Sequence, residues 1–452
     1  MNFSSVKVAL VAGVFAFSST VSARSETLAD ALVSAYQNSG LLEQNRALLR
    51  AADEGVAGAV SRLRPVLNYA IGGAYSSVTN NTSGNLELSA SMMLYDFGAT
   101  QLSIDAAKEN VLALREALVS VEQNVLLEAV QAYLDVRRDI SIVALRQNNM
   151  RLITQELQAS QDRFDVGEVT RTDVANAQAR LASAQSSLAV AQGNLAVSRE
   201  AYNVAVGRYP GTLAEPPFPR QLAKSVGEAR SVARQRHPLL LQAKRDVTLS
   251  EINIAIAQAA MKPSLVATAR GSVDYNKNDN SSVGLSLAGP IYQGGFLQSQ
   301  RRRAAALRDS SLANLHLVSL SIDQNVANAW ALLKVAEAAQ KASIEQISAA
   351  RVAFEGTREE ARFGARTTLD VLDAEQELLD AESTKIEADT QRYNAVYSLL
   401  STMGLLTVDE LRLGITTYDP AAYYNAVRNA PTYNVSPEGK KLDRVLRSIG
   451  KQ

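Results

Sequence analysis

From Val66 the chain alternates: Leu67, Tyr69, Ile71 and Tyr75 fall on one face, and Asn68, Ala70, Gly72, Ala74 and Ser76 on the other. A period of two belongs to a β-strand with one apolar face. After the polar turn TNNTSGN, Leu86, Leu88, Ala90, Met92 and Leu94 alternate with Glu87, Ser89 and Ser91, which predicts a hairpin over 66–95. The pattern returns over 264–292. There Leu265, Ala267 and Val273 oppose Thr268, Arg270, Ser272 and Asp274, and beyond NKNDNSS, Val283, Leu285, Leu287 and Ile291 oppose Ser282, Gly284 and Ser286. Pro290 stands at the strand's end, where a missing ladder donor matters least.

Around the hairpins the period is helical. Each hairpin follows a helical stretch of about 36 residues; in the second of these His237 precedes Pro238 at a helix start. Each is followed by a run without proline and almost without glycine, 99–162 and 296–361, which at 1.5 Å per residue predicts helices roughly 95 Å long. Shorter return helices are predicted over 170–207 and 367–403. In the last of these Leu372, Leu379, Ile386, Tyr393 and Leu400 recur every seventh residue, with Ala374, Ala381, Ala388 and Ala395 displaced by two. The first copy has Leu181, Leu188, Leu195 and Tyr202, flanked by Ala175, Ala182, Ala189 and Ala196 and by Ala177, Ala184 and Ala191. Two positions on a helix are about 200° apart, so each return helix has packing surface on opposite sides, as in the wall of a cylinder. A sustained seven-residue period favours left-handed supercoiling.

These elements form two copies of one unit. Tyr95 and Tyr292, Tyr133 and Trp330, and Gly167 and Gly364 are each 197 positions apart. The expected organisation is a first repeat over 24–209, a proline-rich linker over 210–225, a second repeat over 226–404, and a tail over 405–452 without periodicity whose end looks disordered. Ahead of them, Lys7, an apolar run from Val8 to Phe17 and the small residues Val21, Ser22 and Ala23 make 1–23 a secretory signal peptide.

Composition narrows the function. There is no cysteine, which excludes disulfides and thiol catalysis, and the two histidines, His237 and His316, have no metal-ligand spacing. No nucleophile, base and orienter can be assembled, so an enzyme is not expected, and no cofactor or metal. With 46 basic against 46 acidic residues the chain has no basic excess to favour nucleic acid. Exported strands of about 9 to 11 residues with one apolar face suit a membrane β-barrel, which needs at least about eight strands. Four strands cannot close one, and an open edge cannot face lipid. Alternation alone fits the half-buried sheet of a soluble domain equally well, and the export signal favours the membrane; a barrel, if the strands form one, must be shared: two chains would give eight strands and three would give twelve.

The tandem layout, LYDFGA (Leu94 to Ala99) and IYQGGF (Ile291 to Phe296) at the strand-to-helix transitions, and DVGEVTRTDV and FGARTTLDVLDAE at the helical turns together resemble the TolC family of outer-membrane channels. The resemblance implies a mostly α fold with a small β part. A homotrimer would form a 12-stranded barrel in outer-membrane lipid, continued by a long α-helical barrel through the periplasm and closed at its inner end. Its implied role is the exit duct of a tripartite efflux pump or type I secretion system, with a periplasmic adaptor and an inner-membrane efflux or ABC-type transporter as partners. The turns Val166, Gly167, Glu168 and Phe363, Gly364, Ala365 would meet the adaptor. Asp370 and Asp373 match aspartates that ring the constriction. Arg366 matches an arginine that ties neighbouring hairpins shut, with Thr172 and Asp173 where its partners lie. Ala361 stands where some relatives have a tyrosine that strengthens closure.

Thr170-x-x-Asp173 and Thr367-x-x-Asp370 also fit a helix-capping signature, an alternative role for Asp173 and Asp370 that leaves Asp373 unexplained. A competing reading of the whole chain is a periplasmic coiled-coil adaptor or scaffold without a pore, which would not need the two hairpins. Arg301, Arg302 and Arg303 are expected on a solvated face, and Tyr133 and Trp330 in packing.

Overall fold

A computed structural model describes residues 25–78, 80–217, 223–430, 440 and 444. The expected signal segment 1–23, part of the 210–225 linker and the end of the 405–452 tail lie outside the described residues. The chain runs through α1 (Leu28–Asn38), α2 (Gly40–Ser61), β1 (Val66–Ser76), β2 (Asn81–Tyr95), α3 (Ala99–Asp165) and α4 (Arg171–Val206). The same order then recurs as α5 (Val226–Arg236), α6 (Pro238–Ala259), β3 (Ser264–Asp274), β4 (Asp279–Ala288), α7 (Phe296–Arg362) and α8 (Thr368–Thr402), followed by α9 (Pro420–Val427).

The opening helices are not continuous, which corrects the expectation of about 36 unbroken residues. In the second copy Pro238 forces His237 out of the helical region, to φ −67° and ψ 122°. His237 Nδ1 then accepts from the Leu239 amide at 3.3 Å and caps α6. In the first copy Ser39 adopts the same extended geometry, and its hydroxyl accepts from the Leu42 amide at 3.3 Å. A glycine at the end of a return helix presses on each break. Gly404, at φ +77°, would put a Cβ 2.8 Å from the His237 Cα, and Gly207, at φ +85°, one 2.8 Å from the Asn38 Cβ. Only glycine combines that backbone with that approach.

The strands form one antiparallel sheet in the order β1-β2-β3-β4. Its register joins like to like: Tyr69 faces Leu88, Ile71 faces Leu86, and Leu265 faces Leu287. This apolar face is open in the single chain, with Tyr69 77% and Val283 88% exposed. The opposite face carries small and polar groups, including an Arg270–Glu87 ion pair at 2.9 Å. Among the described residues β1 and β4 each have an edge without a partner strand. Among the described residues no helix is long and apolar enough to cross a membrane.

α3 and α7 are 67 residues each, about 100 Å at 1.5 Å per residue. The main core lies around their middles, where α1, α5 and the ends of α4 and α8 pack on them through Leu126, Tyr133, Tyr202, Leu333 and Leu406. Tyr133 is fully buried, and its hydroxyl donates to the backbone carbonyls of Glu26 and Ala214 at 2.9 and 2.6 Å. Trp330 is only half-buried, with the Lys334 ammonium 5.5 Å from its ring centroid. The tail crosses α2, where the Tyr423 hydroxyl donates to Glu54 at 2.7 Å and Val427 is buried.

The two return helices are covered to different extents: α8 packs on both α7 and α3, burying Leu372 and Leu379 as well as Ala381 and Ala388, whereas α4 is covered on one side. On α4, Ala177, Ala184, Ala191 and Ser198 are buried, while Val197 and Val204, one heptad apart, are 71% and 81% exposed. α7 likewise leaves Leu317, Leu332 and Val335 uncovered. α4, patterned to pack on both flanks, has neighbours within one chain on one of them.

Candidate functional site

At the end of the long helices farthest from the sheet, the chain reverses twice through the same device. α3 stops when Gly167 turns left-handed at φ +82°, with the Glu168 amide donating to the Arg163 carbonyl and the Gly167 amide to the Phe164 carbonyl, both at 2.9 Å. α7 stops identically at Gly364, φ +75°, with Ala365 donating to Glu360 and Gly364 to Ala361, both at 3.0 Å. This paired bonding satisfies the last helical carbonyls. Each next helix then starts in a capping box. The Thr170 hydroxyl accepts from the Asp173 amide, whose carboxylate accepts from the Thr170 amide at 2.9 Å; Thr367 and Asp370 repeat this, again at 2.9 Å. The Thr367 amide and hydroxyl donate to the Asp370 carboxylate and hold it below the usual carboxylate range.

The turns thus present a capped, exposed tip. Val166 is 71% and Phe363 86% exposed, and Gly167, Glu168, Gly364 and Ala365 are exposed beside them. Arg366 bridges its own turn, donating to Glu360 at 2.9 Å. Within one protomer it does not meet Thr172, which is exposed, or Asp173, which is engaged in its cap.

Beyond the caps the copies diverge. Asp373, on the second turn of α8, accepts from Arg180 of α4, 193 positions earlier. Half a turn further, Glu375 is buried and accepts from Asn149 Nδ2 of α3 at 3.0 Å. Burial, reinforced by the nearby Glu156 carboxylate, pushes the Glu375 carboxyl up to about 7, against the opposing effects of Asn149 and Arg358. Neither Arg180 nor Glu375 was singled out in the sequence. Their pairing spans roughly half the chain and leaves no local pattern; the only trace is a charged pair on α8, Asp373 and Glu375, where α4 has the neutral Asn176 and Gln178. Among the described residues no cluster of His, Asp and Glu could hold a metal ion.

A sheet with two free edges and one apolar face, set on helices of about 100 Å that end in a capped tip, has the architecture of an outer-membrane channel protein. A family model described as "Outer membrane efflux protein" matches residues 31–208 and 229–405, and the chain belongs to that family. It is 34% identical over 445 residues to the outer membrane efflux protein BepC of Brucella suis, an alignment covering 95% of this chain and 98% of BepC. It is 27% identical over 421 residues to the outer membrane protein TolC of Escherichia coli, covering 85% and 84%. Among solved structures, CusC superposes with a TM-score of 0.75 at 21% identity, covering 83% of this chain and 92% of that one, which shows the same fold. The protein is therefore an outer-membrane exit duct for efflux or secretion that extends into the periplasm, and the scaffold without a pore is set aside.

Proposed function

We propose that the duct works as a homotrimer, with a twelve-stranded barrel in outer-membrane lipid and a helical barrel that meets a periplasmic adaptor and, through it, an inner-membrane transporter. The observation that carries this reading is the set of uncovered surfaces: two strand edges, an apolar sheet face, and apolar stripes on α4 and α7. An unpaired strand edge in hydrocarbon costs several kcal/mol per amide, so the edges need partners. The exposed Val166 and Phe363 are apolar anchors of the kind a helical adaptor would cover. The relatives differ in cargo by name: one is a proteases secretion protein of Dickeya chrysanthemi and another a cation efflux system protein of Escherichia coli. In this reading the transporter, rather than the duct, selects the cargo.

The gate lies at the two turns. Three copies of Asp370 and Asp373 set a negative field around one axis that favours cations, and Arg366 restrains the second hairpin. Mass determination in detergent, together with a heat-sensitive band on a denaturing gel, tests the assembly; a stable monomer under all conditions contradicts it. For the acidic ring, the double variant Asp370→Ala/Asp373→Ala loses cation selectivity in planar bilayers, and retention of wild-type selectivity contradicts that assignment.

A further inference from the structure

Arg301, Arg302 and Arg303 are exposed near the start of α7, far from the tip, and the gate makes no use of them. α7 begins at Phe296, next to the sheet, so the three stand only about 8 to 11 Å along the helix from its sheet end. Side chains on a helix tilt toward its N-terminus, which here is the sheet end, so the guanidiniums lean back toward the apolar face. Three consecutive residues spread over about 200° of the helix surface, and no one neighbouring helix covers them all. Among the described residues none of the three has an ion-pair partner, whereas Arg308, further along α7, pairs with Asp309 at 2.8 Å. The surrounding sequence offers none: no acid occurs between Asp279 and Asp309, or between Glu251 and Asp274.

Other cations gather at the same level. Arg62 caps the end of α2 and Lys262 follows α6, each exposed and each just ahead of a strand. The Lys262 ammonium stands 5.4 Å from the Phe97 ring centroid, and Phe97 packs on Tyr95. At the second transition Tyr292 and Phe296 are exposed. From the sheet toward the helices the order is therefore an apolar face, aromatic rings, then cations. A bilayer has the same order: hydrocarbon, an interface where aromatic girdles sit, and charged headgroups. The opposite end of the sheet differs, because the 77–80 turn is uncharged and the next turn sets Lys277 between Asp274 and Asp279. A surface that met only water would not need its cations at one end.

We propose that Arg301, Arg302 and Arg303, with Arg62 and Lys262, form a cationic collar under the sheet that binds the phosphates of anionic phospholipids in the periplasm-facing leaflet of the outer membrane. The inference rests on the reading of the sheet as part of a lipid-embedded barrel and adds the lipid class at its rim. Continuity and charge identify the occupant. The collar borders the face that lies in lipid, on the side where the helices enter the periplasm, and a guanidinium offers paired donors that fit a phosphate. A zwitterionic headgroup also has a phosphate, but its ammonium cancels the longer-range attraction, so the collar selects by net charge.

The test uses the full-length protein reconstituted in phosphatidylcholine bilayers, where electron paramagnetic resonance compares spin-labelled phosphatidylglycerol with spin-labelled phosphatidylcholine. Wild type holds phosphatidylglycerol at least about fivefold more tightly, the factor for one basic side chain at an anionic surface. The preference shrinks at about 1 M salt, where charges are screened within about 3 Å. Arg301→Gln/Arg302→Gln/Arg303→Gln loses most of it, Arg301→Lys/Arg302→Lys/Arg303→Lys keeps it, and Arg308→Gln leaves it unchanged. If the glutamine variant fails to assemble, the three single glutamine variants carry the same test, each lowering the preference. No preference in wild type, or an undiminished one in the glutamine variants, overturns the collar. Wild type without a preference whose glutamine variant loses its heat-sensitive oligomer band overturns it too, and assigns the arginines to a contact between protomers. Failure of wild type to enter bilayers contradicts the barrel reading and the collar with it, whereas insertion without lipid preference contradicts the collar alone.

Discussion

The turn at Gly167 and the turn at Gly364 share a backbone and differ in the charges set on it. Both close a 67-residue helix with a left-handed glycine and two paired amide bonds, and both open the next helix with a Thr–Asp capping box. What is duplicated is what any sharp helical reversal needs, and Asp173 and Asp370 belong to that shared part. The side chains at most of the other positions differ, and several of the differences change the charge. Where the second turn has Glu360, Arg366, Asp373 and Glu375, the first has Arg163, Val169, Asn176 and Gln178. A capped turn explains none of the second set, which includes Arg366 and Asp373 of the proposed gate.

The largest expected effect breaks that symmetry at Glu375. Its buried carboxyl stabilises the folded protein below 4.5, and the contribution is lost as pH rises through about 7. A shift of that size corresponds to roughly 3 kcal/mol per chain. Thermal unfolding in detergent at acidic and alkaline pH measures it, and Glu375→Gln, which installs the residue found at position 178, flattens the dependence. Next come the shared glycines: Gly167→Val and Gly364→Val each force a β-branched residue to positive φ and destabilise the tip by about 1 to 2 kcal/mol, equally at the two turns. Hydrogen exchange of the tip amides reads this, and a marked inequality breaks the claim of a common skeleton. Smaller still, Thr170→Ala and Thr367→Ala each remove one cap, at about 1 kcal/mol, again alike.

Much of this was legible in the residues. The hairpins announced themselves because the hydrophobic period switches from helical to two and back, and the register pairs the predicted faces, Tyr69 with Leu88 and Ile71 with Leu86. The caps were legible because Thr and Asp three apart are a local signal. The breaks at Ser39 and His237 were hidden by helical pattern on both sides, although the Pro238 that forces one of them was plain. Hardest to see were Arg180 and Glu375, because their partners lie 193 and 226 positions away and no periodicity connects them. The resemblance directed attention to Arg366, Thr172 and Asp173; within the protomer Arg366 pairs with Glu360, and Asp173 caps its own helix.

The central claim is that closure depends on the charges peculiar to the second turn and not on the skeleton both turns share. Single-channel conductance of Arg366→Ser beside that of its first-repeat counterpart, Val169→Ser, tests it most directly. The account predicts that Arg366→Ser conducts several-fold more than wild type while Val169→Ser matches it. Equal conductance of Arg366→Ser and wild type, or an equal rise in both variants, would contradict it.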